Sequence, residues 1–375
     1  MAGVQSFSSE YNVSGVLRYY RYKMRYVCAT MLRQLFLIIF LAGSGYSIAQ
    51  DAYFTQFYAS PLELNPALTG AIEGSYRVSL AYRDQWNGML DNPYRTFGMN
   101  ADVRFEIGQK QSDYIGGGIS FIADKVATFD FNTTGIKLSG AFHKNLDSRT
   151  QQYLSGGLYF GLLQKNVNVE QLSFNDQFNG LDGFTFGTLE QFPENNFGFL
   201  DIGLGLNYAV SPSDDLQFTL GGSIAHMNKP SATFGSRTEG NESPDVELYS
   251  RFTAYVSSVI GLSDDIDLLP RFAFYSQGKY VQMNFGTNVR FALNRYNSNA
   301  AQFGAGLRLA RDLESISPSA AYLFAGIELG NFLLGINYDY NINDLVNERL
   351  GQGVLEFSVT FIGEYSNENT FCPSF

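Results

Sequence analysis

The feature that most restricts this chain is an alternation of apolar and polar residues with period two. It recurs over stretches of about ten to twelve residues from near residue 74 onwards. Tyr76, Val78, Leu80 and Tyr82 fall on one side, with Arg77, Ser79, Ala81 and Arg83 on the other. Phe97, Met99, Ala101, Val103 and Phe105 alternate with Gly98, Asn100, Asp102, Arg104 and Glu106. The longest run interleaves Val281, Met283, Phe285, Thr287, Val289, Phe291 and Leu293 with Gln282, Asn284, Gly286, Asn288 and Arg290. Successive side chains of a strand point to opposite faces, so each run describes a ribbon with one greasy and one polar face. Gly, Asn, Asp, Ser and Pro separate the runs and supply the turns.

The alternation predicts about fourteen strands, near 74–84, 94–106, 113–123, 133–145, 152–164, 197–210, 214–226, 248–261, 266–276, 279–293, 300–311, 317–329, 331–342 and 352–363. A soluble β-sandwich or barrel and a membrane barrel both fit alternating strands. Length favours the membrane, where a tilted strand needs about 9–11 residues, against about 5–6 in soluble sheets. Connections after even-numbered strands are short, whereas 165–196 and 227–247, after odd-numbered ones, are long, as outer-membrane barrels arrange their periplasmic turns and outer loops. An even strand count brings both termini to the periplasmic side. The reading is an all-β transmembrane antiparallel barrel over 74–363. Its apolar rows face lipid and its Arg, Asn, Asp and Gln rows face the lumen, because unpaired backbone groups in hydrocarbon force a sheet to close on itself. Tyr76, Tyr114, Phe142 and Tyr340, near strand ends, are candidates for the interfacial aromatic girdles.

Ahead of the barrel, Arg18, Arg21, Lys23, Arg25 and Arg33 precede the apolar run Leu35–Ala42, and Ser47-Ile48-Ala49 follows. This is the order of a secretory signal peptide over 1–49. Translation starting at Met24 or Met31 would shorten its n-region. Roughly eight apolar residues are too few for a helix that needs about 20 to span. Removing 1–49 takes five of 25 basic and one of 36 acidic residues, leaving 20 against 35, a formal charge of −15. Such acidity speaks against nucleic acid as a partner. Segment 50–73 does not alternate and is read as a periplasmic N-terminal segment, either a plug in the barrel mouth or a piece lying beneath it. Residues 364–375 are read as a periplasmic tail.

Catalytic chemistry has little to build on. The chain has two histidines, His143 and His226, and Cys372 is alone once Cys28 leaves with the signal, so no zinc set is evident. Asn175, Asp176, Asn179 and Asp182-Gly183, and Asp264, Asp265 and Asp267, are acidic clusters without the spacing of a calcium loop, and read as solvated loop acids. No catalytic residue, cofactor or metal is therefore assigned. Two groups stand out as partner or loop contacts. Arg83, Asp84 and the single Trp86 close the first strand. They either order the first surface loop and meet a partner, or Arg83 turns inward to pair with a lumen acid such as Asp102 or Asp339. The connection 165–196 carries Leu172, Phe174, Phe178, Leu181, Phe184, Phe186, Leu189 and Phe192, too apolar for an idle loop. It either plugs the barrel or meets a protein.

Several short motifs add a resemblance: Phe54-Thr55-Gln56-Phe57, Asn65-Pro66-Ala67-Leu68-Thr69-Gly70, Tyr82-Arg83-Asp84-Gln85-Trp86, Pro93-Tyr94-Arg95-Thr96-Phe97, Asn337-Tyr338-Asp339-Tyr340-Asn341 and Cys372-Pro373. In order and spacing the chain from residue 51 onward resembles the PorP/SprF family of the type IX secretion system. Val354-Leu355-Glu356-Phe357-Ser358 is a loose version of that family's last strand. The resemblance implies a non-enzymatic outer-membrane barrel of a Bacteroidota-type bacterium, working in type IX export, gliding motility or surface attachment. Its implied partners are a secreted adhesin or cargo C-terminal domain, periplasmic secretion components and outer-membrane lipid. A solute channel, and less readily a barrel hydrolase, are the competing readings.

Overall fold

The computed structural model describes residues 51–87, 93–107, 113–126, 131–168, 173–181, 183–189, 196–231, 247–294, 299–311, 315–342 and 353–365. The proposed signal peptide, Leu172, Asp182, Phe192 and the tail from residue 366, with Cys372, lie outside them.

Fourteen strands form one closed antiparallel barrel in which each strand pairs with its neighbours in sequence and β1 closes on β14. They are β1 Tyr76–Gln85, β2 Tyr94–Ile107, β3 Asp113–Val126, β4 Phe131–Asp147, β5 Gln152–Asn166, β6 Asn196–Ser213 and β7 Leu216–Ala225. The second half comprises β8 Arg251–Ser263, β9 Ile266–Gln277, β10 Tyr280–Asn294, β11 Asn299–Arg311, β12 Ile316–Leu329, β13 Phe332–Asn341 and β14 Gly353–Gly363. The seam is continuous, from Tyr76 opposite Gly363 to Gln85 opposite Val354, so no edge is left unpaired.

Burial runs opposite to that of a soluble barrel. Leu162, Leu206 and Leu323 are 65, 66 and 67% exposed, while Ser79, Asn100, Asn284 and Asp339 are wholly buried. A greasy exterior around a polar interior is stable only when the exterior meets lipid. Phe142 and Tyr340 lie on the outer face. Tyr114 does not: it shares the inward parity of Gly116 and Gly118, is buried, and stacks on His143 with ring centroids 4.1 Å apart.

The connections sort by rim. Those after even-numbered strands span at most five residues, ending in pairs such as Gly330-Asn331, where Gly330 takes a positive φ of 56°. The long ones, between β5 and β6 and between β7 and β8, share the opposite rim. Residues 51–72 neither alternate nor join the sheet. They run inside the barrel as a 3-10 turn Phe57–Ala59, a helical turn Pro61–Leu64 and a second 3-10 turn Pro66–Leu68. Asp51 meets His226 and Arg251 near the long-connection rim, and Ile72 meets Arg104 near the short-turn rim. The strand ends Tyr76 and Gly363 do share one rim, but Asp51 is at the other. Residues 51–72 therefore pass from one rim towards the other through the lumen.

Candidate partner-binding site and the lumenal segment

The lumenal segment is shaped locally before it is held. Pro61 and Pro66 stand at first helical positions, where a missing N–H costs nothing. Asn65 caps the second 3-10 turn by accepting from Ala67 N at 2.8 Å, and its Nδ2 donates to the Leu206 and Gly222 carbonyls at 2.9 and 3.2 Å. The wall is hollowed to receive this turn. A Cβ on Gly205 would come within 1.8 Å of Asn65 Oδ1, and one on Gly157 within 2.5 Å of the Pro66 and Ala67 backbone. Higher up, Phe57 and Leu64 pack on Tyr255, Ala273 and Tyr275 of β8 and β9. The Arg271 guanidinium lies 3.9 Å from the Tyr58 ring centroid.

Charged groups fix the segment at intervals. Asp51 bonds His226 Nε2 at 2.7 Å and Arg251 Nη1 at 3.0 Å. Burial resists its charge, but His226 and then Arg251 outweigh that and hold the carboxyl well below the usual carboxylate range. Thr55 and Gln56 donate backbone N–H to Glu356 at 2.8 and 3.0 Å, and Glu356 also takes Arg83 at 2.8 Å. Thr55 Oγ1 donates to Asp339, the partner of Arg308 at 2.8 Å. Glu63 takes Lys137 and Ser120, each at 2.7 Å. Burial opposes the ionised Glu63, and Lys137 outweighs it, so its carboxyl also sits below its ordinary range. Gly70 donates to Asp102 at 2.7 Å, and Arg77 grips the same carboxylate through two bonds of 2.9 and 2.7 Å.

The sequence-predicted residues divide between rim and lumen. Arg83 points inward, but its acid is Glu356; Asp102 takes Arg77 and Asp339 takes Arg308. Asp84 lies on the opposite face of β1 and accepts from Asn87 at 2.7 Å, so Arg83 and Asp84 do not act as a pair. Trp86 follows with φ of 62°, its ring edge-on to Tyr94 and its indole N–H buried without an acceptor among the described residues. With Tyr53, Asp124 and Tyr280, these residues line a cavity of about 350 Å³ above the lumenal segment. The two histidines stay apart. His143 bonds Ser155 Oγ at 2.7 Å and the Thr69 carbonyl at 2.8 Å, while His226 sits between Asp51 and Asp201.

The described part of the apolar connection folds on itself. Phe178 and Phe184 form an antiparallel bridge with ring centroids 5.4 Å apart, and Phe186 N donates to the Gln177 carbonyl at 3.0 Å. Asp176 accepts from Leu189 N at 2.7 Å and Thr188 Oγ1 at 2.9 Å, and Asn179 accepts from Leu181 N at 2.9 Å, so these polar side chains bond the loop to itself. Phe174 is half-buried at its base. The result is a hairpin with Phe178, Phe184 and Phe186 roughly half exposed and Leu181 and Leu189 88 and 91% exposed. Sequence reasoning missed Glu356, Lys137, Glu63, Arg251 and Asp51. For Lys137 the signal was a charge at inward parity between the small residues Gly135 and Ser139.

A closed barrel with a lipid-facing apolar exterior and an occupied polar lumen defines an outer-membrane β-barrel. The profile for type IX secretion system membrane protein PorP/SprF matches residues 47–361, and the chain belongs to that family. It is a secretion-related barrel, and family membership implies interaction with other type IX components. No curated protein matches it. Solved structures it resembles include the CymD monoaromatic hydrocarbon channel, at 12% identity and TM-score 0.45 over 84% of this chain and 95% of that one. A FadL homologue of Pseudomonas aeruginosa follows at 11% and 0.44, over 79% and 92%. CdiB from Escherichia coli is similar at 10% and 0.43, over 77% and 63%.

Proposed function

We propose that this chain is a non-enzymatic barrel that binds the C-terminal domain of a secreted adhesin or other cargo, periplasmic secretion components, or both, and so supports export or surface anchoring. The observation that carries the reading is the contrast between lumen and rim. Residues 51–72 fill the lumen and bond to its wall along their length, while the long-connection rim presents an apolar hairpin of five exposed large side chains. Apolar surface of that kind in water marks a site that another protein covers. In this reading the long connections face outward and the short turns face the periplasm, residues 1–49 are removed as a signal peptide, and 364–375 form a periplasmic tail.

The test is recovery of a partner. A tagged chain carrying a photo-crosslinking amino acid at position 186 is irradiated in native outer membranes, and the adducts are identified by mass spectrometry. A single defined protein of the secretion system or its cargo is the expected adduct. A barrel that purifies alone under mild detergent and yields no adduct sinks the reading. A solute-channel role requires the lumenal segment to leave, and steady conductance of the unmodified barrel in planar bilayers is the result that would favour it.

A further inference from the structure

Above the lumenal segment the inner wall changes character. Much of the lumen is lined by small, polar or charged side chains and tyrosines, with Phe324 an apolar exception, but at the tops of β4, β5 and β6 the inward positions are Phe131, Leu163, Phe197 and Phe199. The outward positions there, Leu162 and Leu200, are 65 and 62% exposed, so the sheet is apolar on both faces. Lipid accounts for one face only. In the middle of the inner patch stands Lys165, 6% exposed, on the row that joins Thr133 of β4 to Phe197 of β6.

Among the described residues the Lys165 ammonium has no hydrogen bond or ion pair. Its neighbours are the rings of Phe131 and Phe199, with centroids 5.8 and 6.0 Å from Nζ. Asp51, the carboxylate whose charge reaches it, is already held by His226 and Arg251. Ring faces at that distance compensate weakly for water removed from an ammonium, and buried charges are ordinarily paired. Every other buried lumenal cation considered above has an anion or a close ring stack. This one has neither among the described residues, and it stands towards the rim that bears the exposed hairpin.

We propose that Lys165, with Phe131, Phe197 and Phe199, receives a carboxylate flanked by apolar side chains from an extended segment of the bound partner polypeptide. The inference rests on the partner-binding reading above and names the chemistry the partner presents. Charge complementarity selects the carboxylate, and the surrounding rings select its apolar neighbours. Continuity with the hairpin rim makes a polypeptide the occupant rather than a free lipid.

The test uses the full barrel in an uncharged maltoside detergent and a fluorescein-labelled hexapeptide ending in Leu-Leu, as the free acid and as the amide. Fluorescence anisotropy should show the acid binding at least about tenfold more tightly than the amide. The preference should vanish in Lys165→Met and persist in Lys165→Arg, with heat-modifiable gel mobility showing that each variant is folded. Equal affinity of acid and amide, no binding of either, or a preference that survives Lys165→Met overturns the assignment. So does displacement of the peptide by dodecanoate at much lower concentration, which would make the occupant a fatty acid. Partner recovery from native membranes separates this failure from that of the wider reading. If wild type and Lys165→Met recover the same partner equally, the Lys165 site fails and the reading stands; if wild type recovers none, the reading itself fails.

Discussion

Lys137→Met should open the middle of the lumenal segment. Lys137 belongs to the wall and Glu63 to the segment; their charged atoms are 2.7 Å apart, and the two side chains are 7 and 11% exposed. Removing the lysine leaves a carboxylate that keeps one other partner, Ser120 Oγ at 2.7 Å. Breaking a buried pair from one side costs about 3–5 kcal/mol, because the remaining charge is uncompensated. The segment can relieve that cost by undocking and letting Glu63 reach water in the lumen. The ratio of open to docked segment should then rise between about a hundredfold and a few thousandfold. Ala59, 4% exposed and four residues away, reports the opening when replaced by cysteine in a chain whose Cys28 and Cys372 are serine. If opening is fast relative to labelling, the rate of maleimide attachment follows the open population. Glu63→Gln in the Lys137→Met background removes the stranded charge and should bring the rate most of the way back. Two results refute the reasoning: an unchanged labelling rate in Lys137→Met, or a double variant as open as the single one.

The start of the segment should loosen with alkali. Asp51 and His226 hold each other charged. Burial opposes the imidazolium, but Asp51 and Asp201 outweigh it and raise its pKa. That contribution is complete below the unfolded histidine value of about 6.5 and is lost as pH rises through the raised folded value, whereas the depressed Asp51 fails only in strong acid. Labelling at Ala52→Cys, divided by that of the exposed Leu189→Cys to cancel thiol ionisation, should climb from pH 6 to 9, and His226→Gln should flatten the curve. Gly157→Val places a side chain where the Pro66 and Ala67 backbone lies within 2.5 Å. It should expel the turn and give planar bilayers a steady conductance that wild type lacks. Serine at Leu181, Phe184 and Phe186 together should leave heat-modifiable mobility unchanged and cut partner recovery at least about tenfold, as losing a few interface anchors does.

The barrel was legible because lipid enforces period two along most of each strand. The predicted run 94–106 is Tyr94–Ile107, and 300–311 is Asn299–Arg311. Parity also offered the inward turn of Arg83, as one of the two readings open for it. It did not give the partner, since parity says which face a residue takes but not which strand stands across the lumen. Glu356 is 273 residues away in sequence and reads as an interruption in an apolar strand. Tyr114 was misassigned because aromatic character near a strand end outweighed its parity, which already placed it with Gly116 and Gly118. Segment 51–72 has no sheet period to read. Its local signals, Pro61, Pro66 and the Asn65 cap, specify turns but not the cavity that accepts them.

The arrangement of charges bears on how firmly that segment is meant to stay. In Arg83–Glu356, Arg308–Asp339 and Arg77–Asp102 both ions belong to the wall, and the segment adds mainly N–H and hydroxyl donors to carboxylates already neutralised by an arginine. Undocking leaves those ion pairs intact and exposes the carboxylates to water that can replace the lost donors. The two contacts that set a segment charge against the wall, at Asp51 and Glu63, oppose departure more strongly, because each would strand wall cations. An apolar filling would seal the lumen at least as well, since well-packed hydrophobic groups commonly match or exceed buried ion pairs in stability. What the polar contacts supply is position: the backbone N–H groups of Thr55, Gln56 and Gly70 each have a particular wall carboxylate, so the segment docks in a single register. That register sets Asp51 beside His226 and Arg251 and leaves the Lys165 ammonium unpaired at the rim. The lumenal segment is therefore better understood as a ligand bound in cis to a preformed wall than as part of the barrel's own core.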